Sequence, residues 1–215
     1  MTLTQQTAPY SHWEFLHPTS GDLLRVIPER GGLVSAWRCG DRDVLYFDEE
    51  RYADPSKSIR GGIPVLFPIC GNLPDDRFEV DGLDYTLPQH GFARDLPWQL
   101  QLLDDQSGVR LSLSSSADTL KAYPFPFLVE MAVRPVADAL EITIIIFNRG
   151  NRPMPFSFGL HPYFEVSDLG QAQLTGLPQR CLNHLAMADA ATADQLADLS
   201  QGVDFLCRPA GPVTL

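Results

Sequence analysis

With 215 residues, 44% of them apolar, the chain can bury one sizeable core and is too apolar for disorder. A formal net charge of −11 disfavours nucleic acid and anionic membrane surfaces as partners. No apolar run approaches a membrane span, and the N-terminus lacks the basic and apolar regions of a secretory signal, so the expected location is the cytoplasm.

Along the chain, short strand-like stretches follow one another at 13–17, 23–27, 33–37, 43–47, 77–80, 83–87 and 96–103. Residues 109–113 and 129–133 alternate apolar and polar strictly, with a short helical turn predicted between them at 117–122. Residues 135–139 read as a hairpin loop. The stretch 140–144 alternates again and runs into Ile145-Ile146-Phe147, which predicts a strand buried on both faces. A further strand is predicted at 154–160. A helix is predicted over 192–199, with a capping-box pattern at its start and Gly202 as its stop. Gly211-Pro212-Val213-Thr214-Leu215 reads as a turn and the opening of a strand, which raises the expectation that the chain is the front part of a longer protein. Many short strands punctuated by 18 prolines and 16 glycines predict an all-β fold. The expected form is one large, mostly antiparallel β-sandwich over 1–215, with few short helices and its C-terminal part incomplete.

The four cysteines, Cys39, Cys70, Cys181 and Cys207, form no Cys-x-x-Cys pair and read as buried, unbridged thiols; no zinc site is legible. His12, His17 and His184 read as surface or satisfied core histidines. Three other segments carry chemistry. Arg60 opens a glycine-rich corner, Arg60-Gly61-Gly62-Ile63-Pro64. His90 and Arg94 share Gln89-His90-Gly91-Phe92-Ala93-Arg94, and His161 sits in Gly159-Leu160-His161-Pro162-Tyr163-Phe164. Glycine admits close backbone approach to a ligand, aromatics offer flat walls, and arginine forks match anionic oxygens two at a time. Together they predict a pocket for a polar, anionic small molecule.

These three segments, in this order on a β-rich background, resemble the aldose 1-epimerase (galactose mutarotase-like) superfamily, and most closely its hexose-6-phosphate branch. The resemblance implies a β-sandwich whose concave face holds a sugar or sugar phosphate. It also implies exchange of α and β anomers through the open-chain aldehyde, with no metal or organic cofactor. On this resemblance His161 is the general acid at the ring oxygen and His90 sits beside it, holding the ring oxygen or a hydroxyl. Arg60, Arg94 and Gln89 line the phosphate end, and Asn183 stands where the family tends to carry a sugar-contacting aspartate. An unperturbed histidine pKa of about 6.5 suits the acid's task near neutrality. The family's base is a glutamate near its C-terminus. No glutamate follows Glu165 here, and Asp189, Asp194, Asp198 and Asp204 lie in no matching motif. A sugar-binding module without turnover is therefore the alternative expectation.

Overall fold

The structure, a computed structural model, describes residues 3–199 and 202–215. It divides into two compact units, Met1–Glu165 and Val166–Leu215. The first opens with an antiparallel meander of β1 (Leu3–Gln6), β2 (His12–Leu16), β3 (Leu23–Ile27), β4 (Leu33–Cys39) and β5 (Arg42–Asp43). A one-turn helix, α1 (Glu49–Tyr52), and a short strand, β6 (Val65–Leu66), lead to a hairpin of β7 (Arg77–Val80) and β8 (Leu83–Thr86). The second meander runs β9 (Gln99–Leu102), β10 (Val109–Ser114), β11 (Phe127–Val136) and β12 (Ala139–Asn148), with α2 (Ala117–Ala122) between β10 and β11. Finally β13 (Gly159–Leu160) pairs with β6.

Alternation puts one face of each meander inward. Phe15, Leu24, Val26 and Val34 of the first sheet share a single core with Val109, Leu111, Val129, Met131 and Val133 of the second. This is the sandwich that the alternating stretches predict. The aromatic knot of Phe67, Tyr123 and Phe127 extends that core, with Phe67 and Phe127 centroids 5.0 Å apart. Tyr123, 2% exposed, donates its hydroxyl to the Pro155 carbonyl at 2.7 Å, and burial pushes its phenol well above the ordinary tyrosine range. The neutral phenol thus stabilises the fold fully below the unfolded pKa of about 10, and that contribution is lost as pH rises toward the folded value. Tyr123→Phe is expected to flatten the alkaline limb of unfolding free energy against pH. An unchanged limb would assign that loss to another group.

The second unit is built on β14 (Arg180–Asn183), paired on one side with β15 (Ala188–Ala191) and on the other with β16 (Phe205–Leu206). A one-turn helix, α3 (Thr192–Gln195), follows β15.

Several sequence expectations need correction. The strand at 140–147 is not buried on both faces: β12 is the outer strand of its sheet, alternation continues to Ile146, and Ile145 is 47% exposed. The hairpin loop tightens to Ala137-Asp138, because Pro135 and Val136 pair within β11 and Asp138 adopts a φ of 57°. The strand at 154–160 shrinks to Gly159–Leu160, since Pro153 and Pro155 supply no ladder donors. That at 43–47 is reduced to isolated bridges from Leu45 and Phe47 beyond β5, and that at 96–103 starts only after Pro97. The helix at 192–199 ends at Gln195. Ala191, not Thr192, is its cap, and the buried Thr192 hydroxyl finds no hydrogen-bond partner among the described residues, so no capping box forms. By contrast Ser116 and Thr119 do form one at the start of α2. All four thiols are unbridged, but only Cys181 is buried; Cys70 is exposed and Cys39 and Cys207 are half-buried. No helix among the described residues is long and apolar enough to cross a membrane.

Candidate active site

The Arg60 corner is made by its glycines. Gly61 and Gly62 have φ of 119° and 64°, and a Cβ on Gly62 would collide with the Val34 carbonyl oxygen. The segment is pinned by three backbone bonds: Asp48 N–H to Arg60 O (3.0 Å), Gly62 N–H to Tyr46 O (2.7 Å) and Ile63 N–H to Val34 O (2.9 Å). The exposed guanidinium of Arg60 makes no hydrogen bond with any described residue, so its full fork is available to a ligand.

His90 lies on a tight turn and takes a φ of 67°, uncommon outside glycine. Its amide donates to Gly71 O at 2.8 Å, and the Gly71 amide donates to its Nδ1 at 2.9 Å. Burial, then the Arg94 guanidinium and the His161 imidazole, hold His90 below the ordinary histidine range. Gln89 accepts from Arg94 Nη2 through its carbonyl at 3.0 Å, and Arg94 Nε lies 3.7 Å from Asp95. His161 follows β13, with its amide bonded to Pro64 O at 3.0 Å and its exposed ring tilted over Tyr163 at 4.9 Å between centroids.

One cavity of about 480 Å³ receives all of these groups, a volume suited to a small ligand. Arg60, Gln89, His90, Arg94 and His161 line it, together with Tyr163. Phe164, 50% exposed, does not line it. Asn183 belongs to the second unit, where its amide donates to Gln195 at 2.7 Å and its oxygen accepts from Ala186 N–H at 2.9 Å.

Two cations on the cavity wall were not among the expected site residues, Arg30 and Lys57. Arg30 donates to the carbonyls of Tyr52 (3.2 Å) and Lys57 (2.6 Å) and stacks over the Tyr52 ring at 5.2 Å, so it ties down the loop carrying Lys57. A signal for it exists in the chain: Arg30-Gly31-Gly32-Leu33 repeats the pattern of Arg60-Gly61-Gly62-Ile63, again with both glycines at positive φ. Among the described residues the cavity wall therefore gathers Arg30, Lys57, Arg60 and Arg94 with one carboxylate, Asp95, and Lys57 also pairs with Asp54 at 3.2 Å, in a chain of net charge −11.

A family model described as aldose 1-epimerase matches residues 19–201. The chain belongs to the aldose 1-epimerase family. Among curated members, it is 31% identical over 161 residues to a Cenchrus ciliaris protein named "putative glucose-6-phosphate 1-epimerase", covering 68% of this chain and 45% of that one. A protein of the same name from Escherichia coli K12 is 30% identical over 158 residues, covering 72% and 49%. The chain thus spans about half the length of the curated relatives it matches. Among solved structures, the Slr1438 protein from Synechocystis sp. PCC 6803 superposes with a TM-score of 0.78 at 39% identity, over 89% of this chain and 66% of that one. A galactose mutarotase-like protein from Lactobacillus casei, at 21% identity and a TM-score of 0.63, shares the fold over 79% of this chain and 58% of its own.

Proposed function

We propose that the cavity binds a hexose 6-phosphate and exchanges its anomers by acid/base ring opening. The observation that carries this reading is the convergence of four cations and both motif histidines on one sugar-sized cavity of an otherwise acidic chain. Family membership and the names of the curated relatives support it.

In the proposed reaction the anomeric hydroxyl gives its proton to solvent water while the bond from the anomeric carbon to the ring oxygen breaks. The ring oxygen takes up a proton from His161, and the open-chain aldehyde recloses on its other face. Reclosure returns a proton from water to the new anomeric hydroxyl and the ring-oxygen proton to His161. Electron count is unchanged, so the chemistry asks for no redox partner. Proton transfer at the ring oxygen by a positioned histidine is the step the pocket geometry suits. Arg60, with Lys57 and Arg94, holds the phosphate, and charge-assisted bonds of this kind are worth about 1.5–3 kcal/mol each.

Asp95 is the one carboxylate on the cavity wall among the described residues, and it is paired with Arg94. That observation favours a second reading, in which the fold binds the sugar phosphate without turning it over. Anomer exchange of freshly dissolved α-glucose 6-phosphate, followed by polarimetry beside α-glucose, separates the two. The enzyme reading expects acceleration, stronger for the phosphate. In Arg60→Ala, KM for the phosphate should rise about 10–100-fold with little change for glucose. Binding of the phosphate without any acceleration would establish the second reading instead.

A further inference from the structure

We propose that the Gly71 amide, held in place by Ser157, sets the tautomer of His90. His90 then faces the cavity only as a hydrogen-bond donor through Nε2–H. A backbone N–H can only donate, so the 2.9 Å bond from Gly71 requires a lone pair on His90 Nδ1. A neutral imidazole carries one proton, which must then reside on Nε2. That nitrogen makes no hydrogen bond with any described residue, and His90 lines the cavity.

The amide that imposes this state is itself fixed. Gly71 pairs twice with His90, donating to Nδ1 and accepting from its amide at 2.8 Å. The preceding residue, Cys70, donates its amide to the Ser157 hydroxyl at 2.7 Å, and Ser157 N–H donates to Pro68 O at 2.9 Å. Ser157 therefore grips both sides of the turn 68–71, and it does so four residues before His161. Protonating His90 at Nδ1 would set two N–H groups against each other, so the clasp favours the neutral ring, in the same sense as its burial and the neighbouring Arg94 and His161.

His161 has no such clasp. Neither of its ring nitrogens is bonded to a described residue, so it can exchange tautomers and pass a proton in either direction. The two histidines are thereby unequal: His161 is free to shuttle, whereas His90 can polarise an oxygen but holds no lone pair with which to take a proton from the ligand. This division of labour rests on the anomer-exchange reading of the cavity; the tautomer itself does not.

Long-range nitrogen–proton NMR of the full chain, labelled with ¹⁵N-histidine and recorded above neutral pH without ligand, tests it. His90 is expected as a single Nε2–H tautomer and His161 as a mixture. In Ser157→Ala, His90 should shift toward a mixture with His161 unchanged, and Ser157→Thr should restore the wild-type pattern. A His90 carrying its proton on Nδ1, or a mixture in the wild type, overturns the proposal. A single tautomer that persists in Ser157→Ala overturns Ser157's part in it. With α-glucose 6-phosphate, Ser157→Ala should lower kcat about fivefold at unchanged KM, the mark of an interaction made in the transition state. If the wild type accelerates no anomer exchange, the function reading fails while the NMR result still decides the tautomer.

Discussion

Replacing His161 by alanine is expected to lower anomer exchange of glucose 6-phosphate by about 10²–10⁴-fold, the range that a positioned acid/base group contributes. On the proposed reading the loss should appear in kcat rather than in KM, because other side chains hold the phosphate. The fold should be indifferent to the change. The His161 amide keeps its bond to Pro64, and the exposed ring forfeits only its tilted contact with Tyr163. Surface truncations of this kind fall within about 0.5 kcal/mol. Polarimetry on the variant, with its thermal melt as the control for folding, checks both halves. A variant that melts like the wild type and retains its rate would remove His161 from the chemistry.

Gly91→Ala is expected to act through stability, and strongly. Gly91 has a φ of 69°, and an added Cβ would collide with the Phe67 carbonyl oxygen. That oxygen already accepts the amides of Phe92 and Ala93, both at 3.1 Å, so it cannot retreat without breaking the start of the turn that carries Arg94. The left-handed backbone alone costs an alanine about 1–2 kcal/mol, and with the collision the total should be on the order of 3 kcal/mol or more. For a chain of this size that lowers Tm by about 6–12 °C. Gly82→Ala is the matched control: its φ is 78°, yet nothing lies within 4 Å of the new Cβ, so only the backbone penalty applies. Equal losses in the two variants would show that the approach to Phe67 is not what requires glycine at 91.

The features legible in the sequence were those written in local period or local chemistry. Strict alternation marked β10 and the inner stretch of β11, because one face of each is buried and the side-chain period is two. The Arg60 and His90 segments were legible because glycine is needed where backbone closes on backbone, as at Gly62 and Gly91. What the sequence concealed was set by distant partners. Ile145 belongs to a run that reads as fully buried, and only the order of the sheet, with β12 outermost, exposes it. Strands β6 and β13 are two residues each, too short for any pattern, and exist because they meet each other. Lys57 offers no motif at all. It reaches the cavity because Arg30, from a corner 27 residues earlier, holds its carbonyl. The tautomer of His90 likewise depends on an amide 19 residues away.

The cationic cavity also shapes how quickly a charged ligand arrives and how long it stays. Around it lies a chain of net charge −11, whose field repels an approaching phosphate, whereas Arg30, Lys57, Arg60 and Arg94 attract it. At physiological ionic strength both fields fade over about 8 Å, so the attraction is felt only near the mouth of the cavity. Added salt then acts on the two stages in opposite senses. It relieves the repulsion that slows encounter, and it loosens the grip that sets residence time. On the proposed sugar-phosphate reading, the balance makes this a pocket that discriminates anions by how slowly they leave rather than by how fast they come.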